Sequence, residues 1–345
     1  MNKQKTATAL SYAVVVAAGV ALSLLLIDMG GSDIGAALCG FGRGVAGSAY
    51  SVAEVFVKAI PLTLCGLGVA VGFHSGFTNI GAEGQFYMGA VIVTAIGTFL
   101  SGLPAWLLLP LSVVAGFLAG GLWAMVPGLL KAKFGVSEVI NTIMFNYIAT
   151  GIVGILLQTS LKDPNEFFPQ SAYIPDCMKL PLLIPGTRLH AGLLIALACA
   201  ALVYVLLWRT RLGYDMRAVG LNPRACRCAG IPVARSVVLS SLIGGGLAGL
   251  AGVCEIAGLQ HRLMDGISPG YGYLAIIVAL LGRNSPWGVL LSAVGIAALQ
   301  VGSQGMQRKA GVPSSIANII MGAVVLLILA QPVIRKLLAK DGELE

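Results

Sequence analysis

The chain has 345 residues, of which 57% are hydrophobic and only 10% are charged, and its mean hydropathy is +0.90. A soluble globular protein carries roughly 25% charged residues, so this composition excludes a chain whose whole surface faces water. The net charge of +8 does not indicate a nucleic-acid partner, because the cations flank apolar runs and do not form a patch interleaved with aromatic residues.

Apolar runs follow one another along the chain. The first, 6–27, comes after Lys3 and Lys5; it is longer than the apolar region of a signal peptide, and we predict a retained first span. A span uses about 20 residues, so the chain has room for about ten, and the short run 271–282 predicts a re-entrant or discontinuous helix. The candidate spans lie near 7–28, 51–72, 84–101, 105–130, 138–159, 189–208, 237–258, 271–282, 286–303 and 314–334.

The distribution of cations predicts the orientation and the division of the chain. With the N-terminus in the cytoplasm, most lysines and arginines lie inside, as does the C-terminus. The Pro-rich loop 161–188 is then outside and the strongly basic loop 209–236 inside. We predict a single transmembrane domain, 1–345, with a first half 1–160 and a second half 189–345. An odd number of spans in each half indicates an inverted repeat if the halves are related.

No motif indicates chemistry carried out by the chain itself. There is no Gly-Lys dipeptide and hence no phosphate-binding loop of the kind that ATPases use. The two G-x-G-x-x-G stretches, 42–47 and 244–249, fall in a predicted outer loop and inside a span, and the second predicts close helix packing. The seven cysteines and three histidines lack metal-ligand spacing. We therefore expect no catalytic residue and no metal site.

Polar residues within the apolar runs are the candidate binding residues, since each is costly unless it faces protein or water. The densest group is 77–85 (FTNIGAEGQ), where Asn79 and Glu83 would share a face if the segment were helical. Glu83 could anchor the backbone amides of a broken helix or contact a ligand. A second polar stripe, which includes Asn141 and Asn146, could bind a polar solute or bridge helices.

Two segments interrupted by glycine or proline, 72–84 and 264–272, lie at roughly matching places in the two halves. In transporters such paired interruptions mark the permeation path, because broken helices expose backbone groups only where they line a cavity. The predicted pathway residues are Asn79, Glu83, Gln85, Asn141 and Asn146.

The inner loop 209–236 has a regular residue pattern that a simple excess of positive charge does not explain. An apolar-periodic stretch, 216–229, is flanked by Gly213 and by Gly230-Ile231-Pro232, and predicts one or two short helices at the membrane surface. The loop could bind anionic headgroups, could follow ordinary positive-inside bias, or could dock a cytoplasmic partner. The patterned turns favour docking.

Several segments resemble the permeases of ATP-binding-cassette importers for branched-chain amino acids, ribose and nucleosides. The inner loop GYDMRAVGLNPRACRCAGIPVARS is similar to their ATPase-coupling loop, and FTNIGAEGQFYMGA resembles the signature of the longer nucleoside-type permease. KAKFGVSEVINTIMFNYIA and YGYLAIIVALLGRNSPWGVLL resemble the same subgroup, and the resemblance covers 61–330. It implies an all-α polytopic fold, type II-like, with about ten transmembrane helices in a bacterial inner membrane.

The resemblance also implies partners. These are a second, shorter permease subunit, a cytoplasmic ATPase subunit that holds ATP and Mg, and an extracytoplasmic substrate-binding lipoprotein, with membrane lipids around the chain and no cofactor in it. Cys226 and Cys228 depart from the small or aromatic residues expected in such loops. The coupling role would fall on Gly213, Arg217, Gly220, Asn222, Pro223, Arg224, Gly230 and Ile231.

The predicted function is that of a permease subunit, without enzymatic activity of its own, in an ATP-driven importer of a nucleoside-like solute. Riboflavin is an alternative substrate, because it is also a planar polar heterocycle carrying a polyol; a sugar or a branched-chain amino acid are further ones. A different class is an ion-coupled secondary transporter that uses Glu83 or Glu138.

Overall fold

The computed structural model describes residues 17–29 and 31–313, together with 315–316, 318–320, 322–323, 326–327 and 330. Within these residues the regular structure is helical, and extended pairing is limited to isolated bridges. Six of the described helices are long and apolar enough to cross a membrane. The all-α, polytopic fold class is confirmed, while a count of about ten spans stays a prediction.

Apart from α2 and the two short helices of the inner loop, the helices coincide with the predicted apolar runs, with differences at their ends. Helix α7 begins three residues later than the predicted span 189–208. Outside the described residues lie 7–16 of the first predicted span and 314, 317, 321, 324–325, 328–329 and 331–334 of the last. The described helices are α1 (Ala17–Met29), α2 (Ile34–Ala46), α3 (Ala49–His74), α4 (Ala82–Phe99), α5 (Ala105–Phe134), α6 (Glu138–Gln158), α7 (Gly192–Arg209), α8 (Arg211–Leu221), α9 (Pro223–Cys228), α10 (Val233–Glu255), α11 (Tyr271–Leu281) and α12 (Pro286–Ala310).

The prediction that 42–47 lies in a loop was wrong, because residues 42–46 belong to helix α2. Asp33 caps it, accepting hydrogen bonds from the N–H groups of Gly35 and Ala36 at 3.0 and 3.1 Å. Gly40 and Gly44 lie against the backbone of α12 near Gly305, where a Cβ atom would collide. This close approach stabilises a helix whose glycine content alone disfavours it, since each glycine costs about 1 kcal/mol relative to alanine.

The chain divides into two compact units, 1–55 with 295–345 and 56–294. In the first, Ile27, Ala37 and Met306 belong to one buried apolar cluster. In the second, α10 is largely buried and packs along α4 and α5. Gly245 and Gly249 of α10 lie directly against the α5 backbone at Gly120, which confirms the prediction that the 244–249 glycines serve helix packing.

The loop between α6 and α7 folds back on the end of α10. The last turn of that helix widens into a π-helix, Ile256–Gln260, which ends at His261 with a left-handed φ of +59°. The N–H groups of Ile174 and Leu180 donate to the carbonyls of His261 and Ala257 at 2.8 Å each. The irregular backbone of both segments is thereby satisfied within the protein.

Candidate functional site

The candidate site surrounds the segment 75–81, which interrupts the helical path between α3 and α4. The chain turns there through Gly76, whose φ is +69°. A second interruption, 261–270, separates the π-helix from α11. Both predicted interruptions are present, and α11 has only 11 residues, a length of about 16 Å against a hydrocarbon core of about 30 Å.

Asn79 and Gln85 form a closed pair of amides. The Asn79 Nδ2 donates to Gln85 Oε1 at 2.9 Å, and the Gln85 Nε2 donates to Asn79 Oδ1 at 3.0 Å. Asn79 Oδ1 also accepts from the N–H of Gly81 at 2.9 Å. Each residue is only 1% exposed. The pair fixes the turn that leads into α4 and meets the rule that buried polar groups find partners.

Asn146 of α6 supplies the cap that the start of α4 lacks. Gly81 precedes α4 and offers no side chain, so the N–H of Gly84 donates to Asn146 Oδ1 at 2.8 Å. The Asn146 Nδ2 donates to the Ile80 carbonyl at 3.0 Å and lies 3.3 Å from the Tyr273 hydroxyl. One side chain therefore joins α6, the broken segment and α11.

Glu83 ties the starts of α4 and α11 together. Its Oε2 accepts a hydrogen bond from the N–H of Gly272 at 2.7 Å. The Ser268 hydroxyl accepts from the N–H of Tyr271 at 3.0 Å. A carboxylate at two helix N-termini is favourably placed with respect to both dipoles. The geometry favours the anchoring interpretation of Glu83 over ligand contact.

Asn141 differs from the other predicted pathway residues. Its Nδ2 atom is buried and has no hydrogen-bond partner among the described residues. It lies on the first turns of α6, next to Thr142, whose Oγ1 accepts from the Ile80 N–H at 3.3 Å. An unsatisfied buried donor costs about 1–3 kcal/mol. Among the predicted pathway residues, Asn141 is therefore the one best suited to donate a hydrogen bond to a bound solute.

An ion pair secures the start of the broken segment. Lys131 Nζ of α5 lies 2.6 Å from Glu138 Oε1 of α6 and also donates to the Gly76 carbonyl. The N–H of Thr78 lies 3.5 Å from the same carboxylate oxygen. Lys131, which the sequence places among ordinary inner cations, thus holds the turn after α3.

The inner loop folds into the two short helices that the sequence predicts, α8 and α9. Thr210 caps α8 by accepting from the Gly213 N–H at 3.1 Å. Asn222 caps α9 by accepting from the N–H groups of Arg224 and Ala225 at 3.1 Å each, with Pro223 at the first helical position.

The glycines of this loop permit close packing and a turn. Gly213 lies against the backbone of Leu207 in α7, and Gly220 against the carbonyl of His74, so a Cβ atom at either position would collide. Gly230 adopts a left-handed φ of +77°. Helix α8 is therefore seated directly on the turn that opens the broken segment.

An apolar cluster holds the loop in place. Cys226 is buried with Phe77, Val219 and Val237, and Ile231 packs against them. The thiol acts there as a small apolar side chain, which accounts for its tolerance at this position. The two predicted coupling arginines differ: Arg224 is exposed, whereas Arg217 is partly buried and its guanidinium lies 5.7 Å from the Trp208 ring centre.

A cavity of about 680 Å³ opens between α8 and the broken segment, lined by Ser75, Gly76, Lys131, Gly220 and Ile231 among others. The structure thus brings Gly220 and Ile231 close to the segment that contains Asn79. It leaves Arg224 outside this cavity. The sequence analysis did not identify Gly76, Lys131 and Ser268 as site residues. The charge of Lys131 at the end of an apolar run and the position of Ser268 just before a helix were signals that could have indicated two of them. Within the described residues no cluster of side chains could hold a metal ion.

The family described as branched-chain amino acid transport system / permease component matches residues 51–329. The chain is 39% identical to the glucose ABC transporter permease protein TsgB13 of Haloferax volcanii, over 82% of this chain and 77% of that protein. No solved structure matches the chain significantly.

Two further relatives have nucleoside names. The chain is 35% identical to the guanosine ABC transporter permease protein NupP of Bacillus subtilis, over 93% of each protein. It is 33% identical to the nucleoside ABC transporter permease protein NupB of Lactococcus lactis subsp. cremoris, over 85% of this chain and 83% of that protein.

Proposed function

This chain belongs to the branched-chain amino acid transport system / permease component family, and on that premise we propose that it forms part of the membrane pathway of an ATP-driven importer for a nucleoside-like solute. The main support for the mechanism is the packing of α8 against the turn 74–76. Gly220 packs against His74 there, and Lys131 links the same turn to Glu138 of α6. A displacement of α8 is thereby passed to the segment that holds Asn79.

The route from α8 to the membrane interior is continuous. The broken segment is bonded to α6 through Asn146, and α4 is bonded to α11 through Glu83. ATP binding and hydrolysis in a partner subunit would press on α8 and α9, and the helices bonded to the broken segment would tilt together. Such elements have discrete packed arrangements, which is what alternating access requires.

The nucleoside assignment is supported by the names of the guanosine and nucleoside relatives. A nucleoside offers ring and ribose acceptors to an unpaired amide donor, and Asn141 carries one at the start of α6. Glucose import is a second candidate, because a relative 39% identical to this chain is named a glucose permease protein. The Asn141 amide would suit a sugar hydroxyl as well.

Ion coupling through the predicted carboxylates is disfavoured by their contacts. Glu83 accepts from the Gly272 N–H, and Glu138 pairs with Lys131. Each carboxylate therefore has a structural partner that a proton relay would have to release. This geometry supports coupling through a separate ATPase.

The proposal includes an assembly. A second permease would complete the pathway, an ATPase subunit that holds ATP and Mg would dock on α8 and α9, and an extracytoplasmic lipoprotein would deliver the solute to the loop 161–188. The basic loop 209–236 and both termini would lie in the cytoplasm, with the chain in a bacterial inner membrane. The position of one interruption in each half, 75–81 before α4 and 261–270 before α11, supports an inverted-repeat origin.

Uptake of radiolabelled solutes tests the function. Cells that carry this gene and its neighbours are compared with cells that lack this gene alone, using guanosine, adenosine, glucose, ribose, riboflavin and leucine. We expect gene-dependent guanosine uptake that survives collapse of the proton gradient and stops when ATP is depleted. Glucose or riboflavin uptake alone would change the substrate and keep the mechanism. Uptake that stops with the proton gradient while ATP is intact would refute the ATPase assignment.

A further inference from the structure

A basic cavity lies at the junction of α7 and α8. It has a volume of about 620 Å³ and is lined by Trp208, Arg209, Arg211, Tyr214, Asp215 and Arg217, together with Thr210. It is separate from the cavity behind α8 described above, with which it shares no lining residue. None of the predicted pathway residues lines it.

The charge in this cavity is largely uncompensated. Three guanidinium groups face one carboxylate, that of Asp215, and none of the three forms an ion pair within the described part of the chain. The Nε atom of Arg217 is buried and has no hydrogen-bond partner among the described residues. A buried guanidinium N–H without a protein acceptor is rare in a native protein, so the Arg217 Nε–H is suited to donate to an oxygen ligand. Arginine groups bind phosphate oxygens in a bidentate fashion.

The position of the cavity indicates where that ligand comes from. Helix α7 is a candidate membrane span and presents an exposed apolar face through Leu194, Leu197 and Val205, which are 55%, 37% and 48% exposed. At helical spacing this face ends at Trp208, which lines the cavity. Tryptophan and tyrosine at a span end are typical of the membrane–water interface, the level of the lipid headgroups. The apolar face and the basic cavity are therefore continuous along one helix.

We propose that this cavity binds the headgroup of an anionic phospholipid, with its phosphate on Arg209, Arg211 and Arg217 and its acyl chains along the exposed face of α7. A zwitterionic lipid fits less well, because its terminal cation would meet three guanidinium groups. A docked acidic protein would account for the charge but not for the apolar face that leads into the cavity. The bound lipid would hold the start of α8, and with it the coupling segment, at the membrane surface.

The test uses the purified full chain in detergent, without partner subunits, so its result is independent of ATP coupling and of the transported solute. Short-chain phosphatidylglycerol, short-chain phosphatidylcholine and glycerol 3-phosphate are titrated, and binding is followed by native mass spectrometry and by the unfolding temperature. We expect phosphatidylglycerol to bind about tenfold more tightly than phosphatidylcholine, and glycerol 3-phosphate to bind weakly because it lacks the acyl chains. The double variant Arg209→Gln/Arg211→Gln should lose that preference.

The matched control is Arg224→Gln/Arg235→Gln, which removes the same charge from exposed positions that do not line the cavity. It should keep the preference for phosphatidylglycerol. Equal affinity for both lipids, equal loss in the control, or glycerol 3-phosphate binding as tight as the lipid would each overturn the proposal. If the double variant unfolds in phosphatidylcholine, the single variant Arg211→Gln, at the exposed start of α8, replaces it. We then expect a partial loss of the preference for phosphatidylglycerol, and an unchanged preference would contradict the proposal.

Discussion

Replacing Asn79 and Asn141 separately by alanine distinguishes a structural amide from a solute-binding one. Both substitutions remove the same kind of side chain from a predicted pathway residue, Asn79 in the group 77–85 and Asn141 in the second polar stripe. Asn79 makes three hydrogen bonds inside the protein, whereas the Asn141 Nδ2 makes none among the described residues. Asn79→Ala should therefore lower the stability of the protein, whereas Asn141→Ala should impair transport.

The magnitude for Asn79→Ala comes from the bonds that it removes. Both amide atoms of Gln85 lose their partner, and so does the Gly81 N–H, all in a region where Asn79 and Gln85 are 1% exposed. At about 1 kcal/mol net for each bond, the loss is about 3 kcal/mol, and more if the Gln85 amide finds no new partner. The apparent unfolding temperature should fall by roughly 5 °C or more.

Asn141→Ala should leave the unfolding temperature within about 1 °C of the parent, because it removes a buried donor that no group in the described part of the chain accepts from. Its effect should appear in transport. Loss of one hydrogen bond to the solute raises the half-saturating solute concentration about fivefold to tenfold, in line with about 1–1.5 kcal/mol.

Both properties are measured on the same preparations. Thermal unfolding is followed in detergent, and guanosine uptake is followed in cells with matched amounts of permease in the membrane. A parent-like unfolding temperature for Asn79→Ala would refute the closed amide pair. Unchanged uptake by Asn141→Ala would refute the assignment of that amide to the solute path.

Three further predictions concern other contacts. Gly220→Val should abolish ATP-dependent uptake while the permease still inserts, since the side chain would collide with the end of α3; normal ATPase stimulation by the solute would contradict it. In a double-mutant cycle, Lys131→Met and Glu138→Gln should show a coupling of about 1 kcal/mol in stability, because this pair is partly buried, and additive effects would show that the pair contributes nothing. Burial lowers the pKa of His190, in the loop before α7, to about 4 from its ordinary 6.5. The unfolded chain then binds the proton more tightly, so stability is full above about pH 6.5 and falls by about 3 kcal/mol as the pH drops towards 4. Unfolding temperatures from pH 7.5 to 4.5 check this, and the same slope in a His190→Gln variant would exclude it.

Much of the fold follows from local sequence. A long apolar run is helical because every backbone polar group must be satisfied without water, and the described spans agree with the runs. The spacing of the α10 glycines is visible along one helix, and the caps of α8 and α9 act within a few residues, so these features can be predicted from local sequence. The two interruptions were visible for the same reason.

The exception is α2. Its glycines argue against a helix, and only the packing of Gly40 and Gly44 against α12 stabilises one. Local propensity carries no information about a surface more than 250 residues away along the chain, and tertiary packing overrides it. A loop was therefore the reasonable expectation at 42–47.

The sequence by itself determined the class of protein, the approximate spans and the presence of polar residues inside them. Only the tertiary structure decided which of those polar residues form hydrogen bonds within the protein. Asn146 meets Gly84 across 62 positions, and Glu83 meets Gly272 across 189. Whether a buried polar atom is satisfied depends on a partner placed by helix packing, and the chain's local pattern does not encode that placement. Asn79 and Asn141 are thus alike in sequence and opposite in structure.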